Sequence, residues 1–199
     1  MATVYLGVDA AWGEVNETGV VALAAGGTVL DAGWTLGRSA TLRWIVEHAG
    51  SEAIVFVDAP LVVTNTAGQR LCEKHVGQRY GRWKVSANST NLASKRLGGV
   101  ALCTALVADH GFRYDDGLDG PPTTGRVLSE CYPYTTIVGY ESFGYEQRPQ
   151  YKRGPKGMQR KEFRPIRAAA CDGLIARMTG LVNQDPRWIC GPIRLPGDW

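Results

Sequence analysis

Three carboxylates stand in or at the ends of apolar runs. Val4-Tyr-Leu-Gly-Val-Asp9 and Ala53-Ile-Val-Phe-Val-Asp58 each end on an aspartate, and Arg126-Val-Leu-Ser-Glu130 carries a glutamate in a strand-like stretch. Period-two alternation separates Val4, Leu6 and Val8 from Tyr5, Gly7 and Asp9, which puts Asp9 at the open end of a buried strand. Neighbouring strands lie about 4.8 Å apart, so carboxylates at equivalent ends can share a divalent cation about 2.1 Å from each oxygen. Without a cation the pair would repel and one pKa would rise. Such a cluster suits metal-assisted phosphodiester hydrolysis, one ion activating water and another stabilising the leaving oxygen. Asp9, Asp58 and Glu130 are therefore the expected catalytic and metal-binding residues, with Mg2+ or Mn2+ as cofactor. Plainer readings stand beside this one: Asp9 as a turn residue and Glu130 as an edge-strand charge.

Residues suited to holding a substrate lie apart from these acids in the sequence. Arg70 and Glu73 are three apart, and either pair with each other or leave Arg70 to reach a bound phosphate. Between residues 81 and 91, Arg82, Trp83, Lys84 and Asn88 offer donors and one stacking surface, as a substrate-facing lid or as a plain connector. From Glu146 to Arg167, eight basic residues (Arg148, Lys152, Arg153, Lys156, Arg160, Lys161, Arg164 and Arg167) meet two acids, Glu146 and Glu162, for a local charge of +6. The whole chain carries only +3, too little to argue for nucleic acid by itself. Concentrated and interleaved with Tyr145, Tyr151 and Phe163, the basic stretch suits phosphate contacts with base or sugar stacking, or else forms a solvated face. Arg70, Lys84, Asn88 and Lys152 are the expected substrate contacts.

Apolar spacing predicts the elements that must position these residues. Val20 to Ala25 and Thr28 to Leu36 flank Gly26-Gly27, a hairpin signal, so the Asp9 strand opens a three-strand antiparallel meander. Leu42, Ile45, Val46 and Ala49 repeat at helical spacing, with Ser39 as a cap and Gly50 as a stop. The nearly all-apolar run into Asp58 then reads as a covered strand parallel to the first after a crossover. Helices are expected from Thr64 or Asn65 to about Tyr80, from Leu92 to His110, and from about Gln159 to Leu181, where Pro165 delays the start. Residues 115–125 read as a turn-rich link, and 134–157 as loop.

With 199 residues and 44% hydrophobic content, the chain can bury a core in one domain, expected over 1–182, followed by an extended tail over 183–199. No run of 18 apolar residues and no leader pattern occurs, so a cytoplasmic protein without a membrane span is expected. The five cysteines never form C-x-x-C and read as reduced core thiols. Neither a Walker A nor a Gly-x-Gly-x-x-Gly pattern is present.

The predicted order, three strands, a helix, a strand, helices, a strand and a final helix, matches ribonuclease H-like folds, in which acids at central strand ends bind divalent metal. The fold class expected is thus α/β, a mixed five-stranded sheet of three antiparallel and then two parallel strands, flanked by helices. Gly7-Val-Asp-Ala-Ala-Trp12, Val57-Asp-Ala-Pro-Leu61, Gly68-x-Arg70-x-Cys72-Glu73 and Glu130-Cys-Tyr-Pro133 resemble, in that order, the domain-of-unknown-function family 429, regarded as predicted ribonuclease H-like nucleases. The resemblance spans roughly residues 4 to 160. It implies that Asp9, Asp58 and Glu130 are acidic site residues and that a late helix carries a further acid, for which Asp172 is the nearest match. The function it implies is divalent-metal-dependent hydrolysis of nucleic acid, DNA or RNA. The alternatives are a non-catalytic nucleic-acid or protein-binding module and an ATP-dependent phosphotransferase-like protein on the same fold.

Overall fold

A computed structural model describes residues 3–11, 13–95, 97–120, 124–152 and 157–184. Six strands form one mixed sheet: β1 (Val4–Asp9), β2 (Glu17–Ala24), β3 (Val29–Leu36), β4 (Ala53–Val57), β5 (Arg113–Asp115) and β6 (Arg126–Glu130), in spatial order β3-β2-β1-β4-β6-β5. The first three strands are antiparallel, while β4 runs parallel to β1, β6 to β4 and β5 to β6. The meander closes as expected at Gly26-Gly27, where Gly27 takes a positive φ of 83° and Ala24 bonds Thr28. Beyond that turn the ladder slips. Leu23 pairs with Val29 but Ala22 pairs with Asp31, leaving Leu30 as a bulge.

Chain contacts divide into two compact units, residues 1–75 with 87–133, and residues 76–86 with 134–199. The first unit holds the sheet, α1 (Arg38–His48), the start of α2 (Leu71–Tyr80) and α3 (Gly98–Asp109). Leu6, Val8, Val55, Val57 and Leu128 share one face of the sheet and pack with Ile45 of α1 and Leu102 and Leu106 of α3. Each such side chain contributes about 1.5–3 kcal/mol on burial. Cys103 joins this core, and burial pushes its thiol above the ordinary pKa.

The second unit holds the end of α2, α4 (Pro133–Gly139) from Tyr134 onward, and α5 (Arg160–Gln184). Ile137 and Phe143 are buried there with Tyr145, Tyr151 and Leu174 against them. Arg177 donates through Nε to the Phe143 carbonyl at 2.7 Å, and its guanidinium lies 4.4 Å from the Tyr145 ring centroid. Such a stacked, hydrogen-bonded arginine ties a long helix to its neighbours by packing as well as by charge.

Several expectations need correction. The sheet has six strands, not five, because Arg113-Tyr-Asp115 pairs with β6 at the edge; three polar-rich residues carry no apolar run by which to see it. Helix α2 starts at Leu71, not near Asn65. The Asn65 side chain instead donates to the carbonyls of Ala67, Gly68 and Thr90, and Gly68 has φ 71°, which holds 65–70 as a loop. Helix α3 starts at Gly98 rather than Leu92. Helix α4 covers 133–139, of which 134–139 was expected as loop, and α5 runs from Arg160 through Pro165 to Gln184. Of the tail expected over 183–199, residues 183 and 184 close α5 and the rest lies outside the described residues. No helix among the described residues is long and apolar enough to cross a membrane.

Candidate functional site

Register alone sets the geometry of the strand ends. Asp9 is opposite Gly19, and Gly19 is opposite Trp34. On the other side Val8 pairs with Val57, and the Asp58 N–H donates to the Val8 carbonyl at 2.8 Å, which carries the parallel ladder one step further and sets Asp58 beside Asp9. The same extension joins Cys131 to the Val57 carbonyl at 2.9 Å. One row across the sheet therefore reads Trp34, Gly19, Asp9, Asp58, Cys131. Directly opposed residues share a face, so Asp9 and Asp58 are neighbours on the face away from α1 and α3. Asp9 is exposed and Asp58 half-buried.

Glu130 belongs to the next row. It pairs with Val57, which pairs with Val8, and both valines face the core. Alternation thus puts Glu130 on the opposite face from the two aspartates. Its carboxylate is engaged by Arg70: Nη1 donates to Oε2 at 2.7 Å and Nη2 to Oε1 at 2.6 Å, a bidentate pair. Oε2 also accepts from the Leu61 N–H at 3.1 Å. Among the described residues, no three His, Cys, Asp or Glu side chains gather closely enough to hold one metal ion.

Arg70 is spoken for at every nitrogen. Nε donates to Glu73 Oε1 at 2.8 Å, and Nη1 also reaches the Val62 carbonyl at 3.1 Å. Burial works against its charge, but the hydrogen bonds and charges of Glu130 and Glu73 outweigh burial and hold the guanidinium protonated. Glu73, only 3% exposed, accepts from the Thr90 N–H at 2.9 Å and from the Arg70 N–H at 3.0 Å. The second bond is the returning half of a capping box, a glutamate at the third helical position closing the start of α2. For Glu73 too, burial raises the pKa, while Thr90 and Arg70 outweigh it and bring the pKa below the ordinary value. The network ties the loop after β4, the start of α2, the segment at Thr90 and the end of β6 into one piece.

Two other contacts shape the strand ends. The Ala11 N–H donates to Thr18 Oγ1 at 3.0 Å, fixing the chain as it leaves Asp9. The first turn of α3 reaches the exits of both strands because it begins Gly98-Gly99: a Cβ at 99 would lie 2.5 Å from the Pro60 carbonyl oxygen and 2.8 Å from the Ala59 Cβ, and one at 98 would lie 3.9 Å from the Ala11 carbonyl oxygen. The partly positive end of α3 is thereby held against the loops that follow Asp9 and Asp58, where it favours nearby negative charge.

Of the expected site residues, the structure brings Asp9 and Asp58 together, and separately brings Glu130 and Arg70 together as each other's partners. Asn88 is exposed in the first unit. Lys84, Lys152 and Asp172 belong to the second unit. Lys84 is exposed in a left-handed conformation, φ 60°, and its N–H closes a turn on the Gly81 carbonyl at 2.9 Å. Asp172 is half-buried in α5. Sequence alone does not single out Trp34 or the anchor Thr90, and it offers Asn65 only as a helix cap. Only Trp34, in a strand whose partner carries Gly19 opposite Asp9, left a trace that a known register would have exposed.

The described residues of all four sequence blocks lie at these strand ends and loops. Residues 7–180 match the family described as Protein of unknown function (DUF429), and the chain belongs to that family. No curated protein and no solved structure matched the chain.

Proposed function

We propose that the protein is a divalent-metal-dependent hydrolase of nucleic-acid phosphodiesters on a ribonuclease H-like fold. The observation that carries this reading is the adjacency of Asp9 and Asp58 on one sheet face at the carboxyl ends of parallel β1 and β4. The sheet order, an antiparallel meander leading into parallel strands, supports the fold assignment. Two neighbouring carboxylates fit Mg2+ or Mn2+, since such ions take one or two protein carboxylates and fill the remaining positions with water and substrate phosphate. When bound, the ion supplies an activated water and charge stabilisation for the phosphoryl oxygens.

The chain's own residues divide the remaining work. Asp9 and Asp58 orient the cation site. Glu130 acts one step removed: through Leu61 and Arg70 it fixes the loop that begins at Asp58. The positive end of α3 favours an anionic phosphate at the strand exits.

Replacement of Asp9 by asparagine keeps the size and shape of an exposed side chain while removing the charge. Cleavage of labelled DNA and RNA in Mg2+ or Mn2+ should fall at least about a hundredfold in Asp9→Asn and Asp58→Asn, with circular dichroism and melting unchanged. Undiminished, metal-dependent cleavage by either variant would sink the assignment.

A further inference from the structure

Trp34 is a large aromatic side chain left 65% exposed. It ends the row in which Gly19, Asp9 and Asp58 follow. Because residue 19 has no side chain, the indole extends over β2 toward Asp9: the position a Cβ would take on Gly19 is 3.6 Å from Trp34 Cζ3 and 3.8 Å from Asp9 Cβ. The ring and the Asp9 side chain thus border the same gap. Trp34 takes no part in the core, which lies on the other side of the sheet.

Resting on the phosphodiesterase reading of Asp9 and Asp58, we infer that Trp34 is a stacking platform for an unpaired nucleobase of the bound strand. The position of the ring beside the two aspartates selects this occupant. A phosphate at the two aspartates, joined through a cation, places the attached nucleotide within one or two strand spacings of the indole, roughly 5–10 Å. A base stacked in a duplex offers no free face there, whereas a single-stranded or extruded base offers one. The site therefore selects substrates that are single-stranded beside the scissile bond.

The test uses the full chain and fluorescein-labelled oligo(dT), oligo(U) and a duplex of equal length, with binding followed by anisotropy in Ca2+, a cation that carboxylate and phosphate oxygens bind, and with gel electrophoresis to confirm that the oligonucleotides stay intact. Trp34→Leu keeps an apolar side chain but removes the ring, and should weaken single-strand binding about tenfold. Trp34→Phe should restore most of it, and duplex binding should be the same in all three proteins. Equal single-strand affinity for wild type and Trp34→Leu overturns the inference, as does a wild type that binds no single strand; Trp34 would then belong to an apolar, protein-facing strip with Leu36. The outcome is separable from the hydrolase reading. Ring-dependent binding without metal-dependent cleavage removes the hydrolase and keeps the platform, while cleavage lost in Asp9→Asn but indifferent to Trp34 does the reverse.

Discussion

Glu73 is a buried charge with three N–H groups converging on it, from Thr90, from the Arg70 backbone and from Arg70 Nε. Hydrogen bonds to a charged group contribute about 1.5–3 kcal/mol, and a stranded partner costs as much again. Its pKa lies below the ordinary glutamate value of 4.5 in the folded protein. The unfolded chain therefore takes up the proton first on acidification, so the stabilisation is present above about pH 4.5 and is lost as the pH falls through the folded value. Glu73→Gln should lower stability at pH 7 by about 2–3 kcal/mol and flatten the decline between pH 6 and 3, as measured by urea unfolding. A variant with the same acid slope as wild type would show that Glu73 is not the titrating group. Asp9 and Asp58 were legible at this scale because each closes an apolar run. The Arg70–Glu130 pair was not, since 60 residues separate the partners and only the folded loop brings them together.

At the scale of elements, close approach and register decide which side chains meet. The Gly99 position in α3 leaves no room for a Cβ against Pro60, while Gly98 has ordinary clearance. Gly98→Ala should then be neutral or stabilising by up to about 1 kcal/mol from helix propensity, whereas Gly99→Ala should cost about 1–2 kcal/mol net and displace the turn after Asp58. Chemical denaturation of the two variants checks the contrast; equal stabilities would mean that α3 can back away. Strands β1 to β4 and β6, helices α1 to α3 and α5, and the parallel return of β4 followed from apolar spacing. What spacing could not reveal was the bulge at Leu30. With an unbroken ladder from the Gly26-Gly27 turn, Trp34 would oppose Thr18, which is buried, and would face the core. One extra residue turns it to the face of Asp9.

For the whole molecule, the unit boundaries cross the chain three times. Residues 76–86 sit in sequence between two parts of the first unit, yet belong with 134–199. Composition gave no sign of this, because a division made by contacts between distant segments leaves no linker rich in glycine, proline or charge. During synthesis the order of emergence then matters. The sheet of the first unit has all six strands once residue 133 has left the ribosome, but 76–86 must wait for partners that have not been made. Trypsin should cut a stalled chain of that length at Arg79, Arg82 or Lys84 while sparing the strands, and protection at those sites should appear only after the later helices are released. Early protection would contradict it. Until then, the stretch between α2 and Ser86 is where a cell's proteases and chaperones would first find this protein.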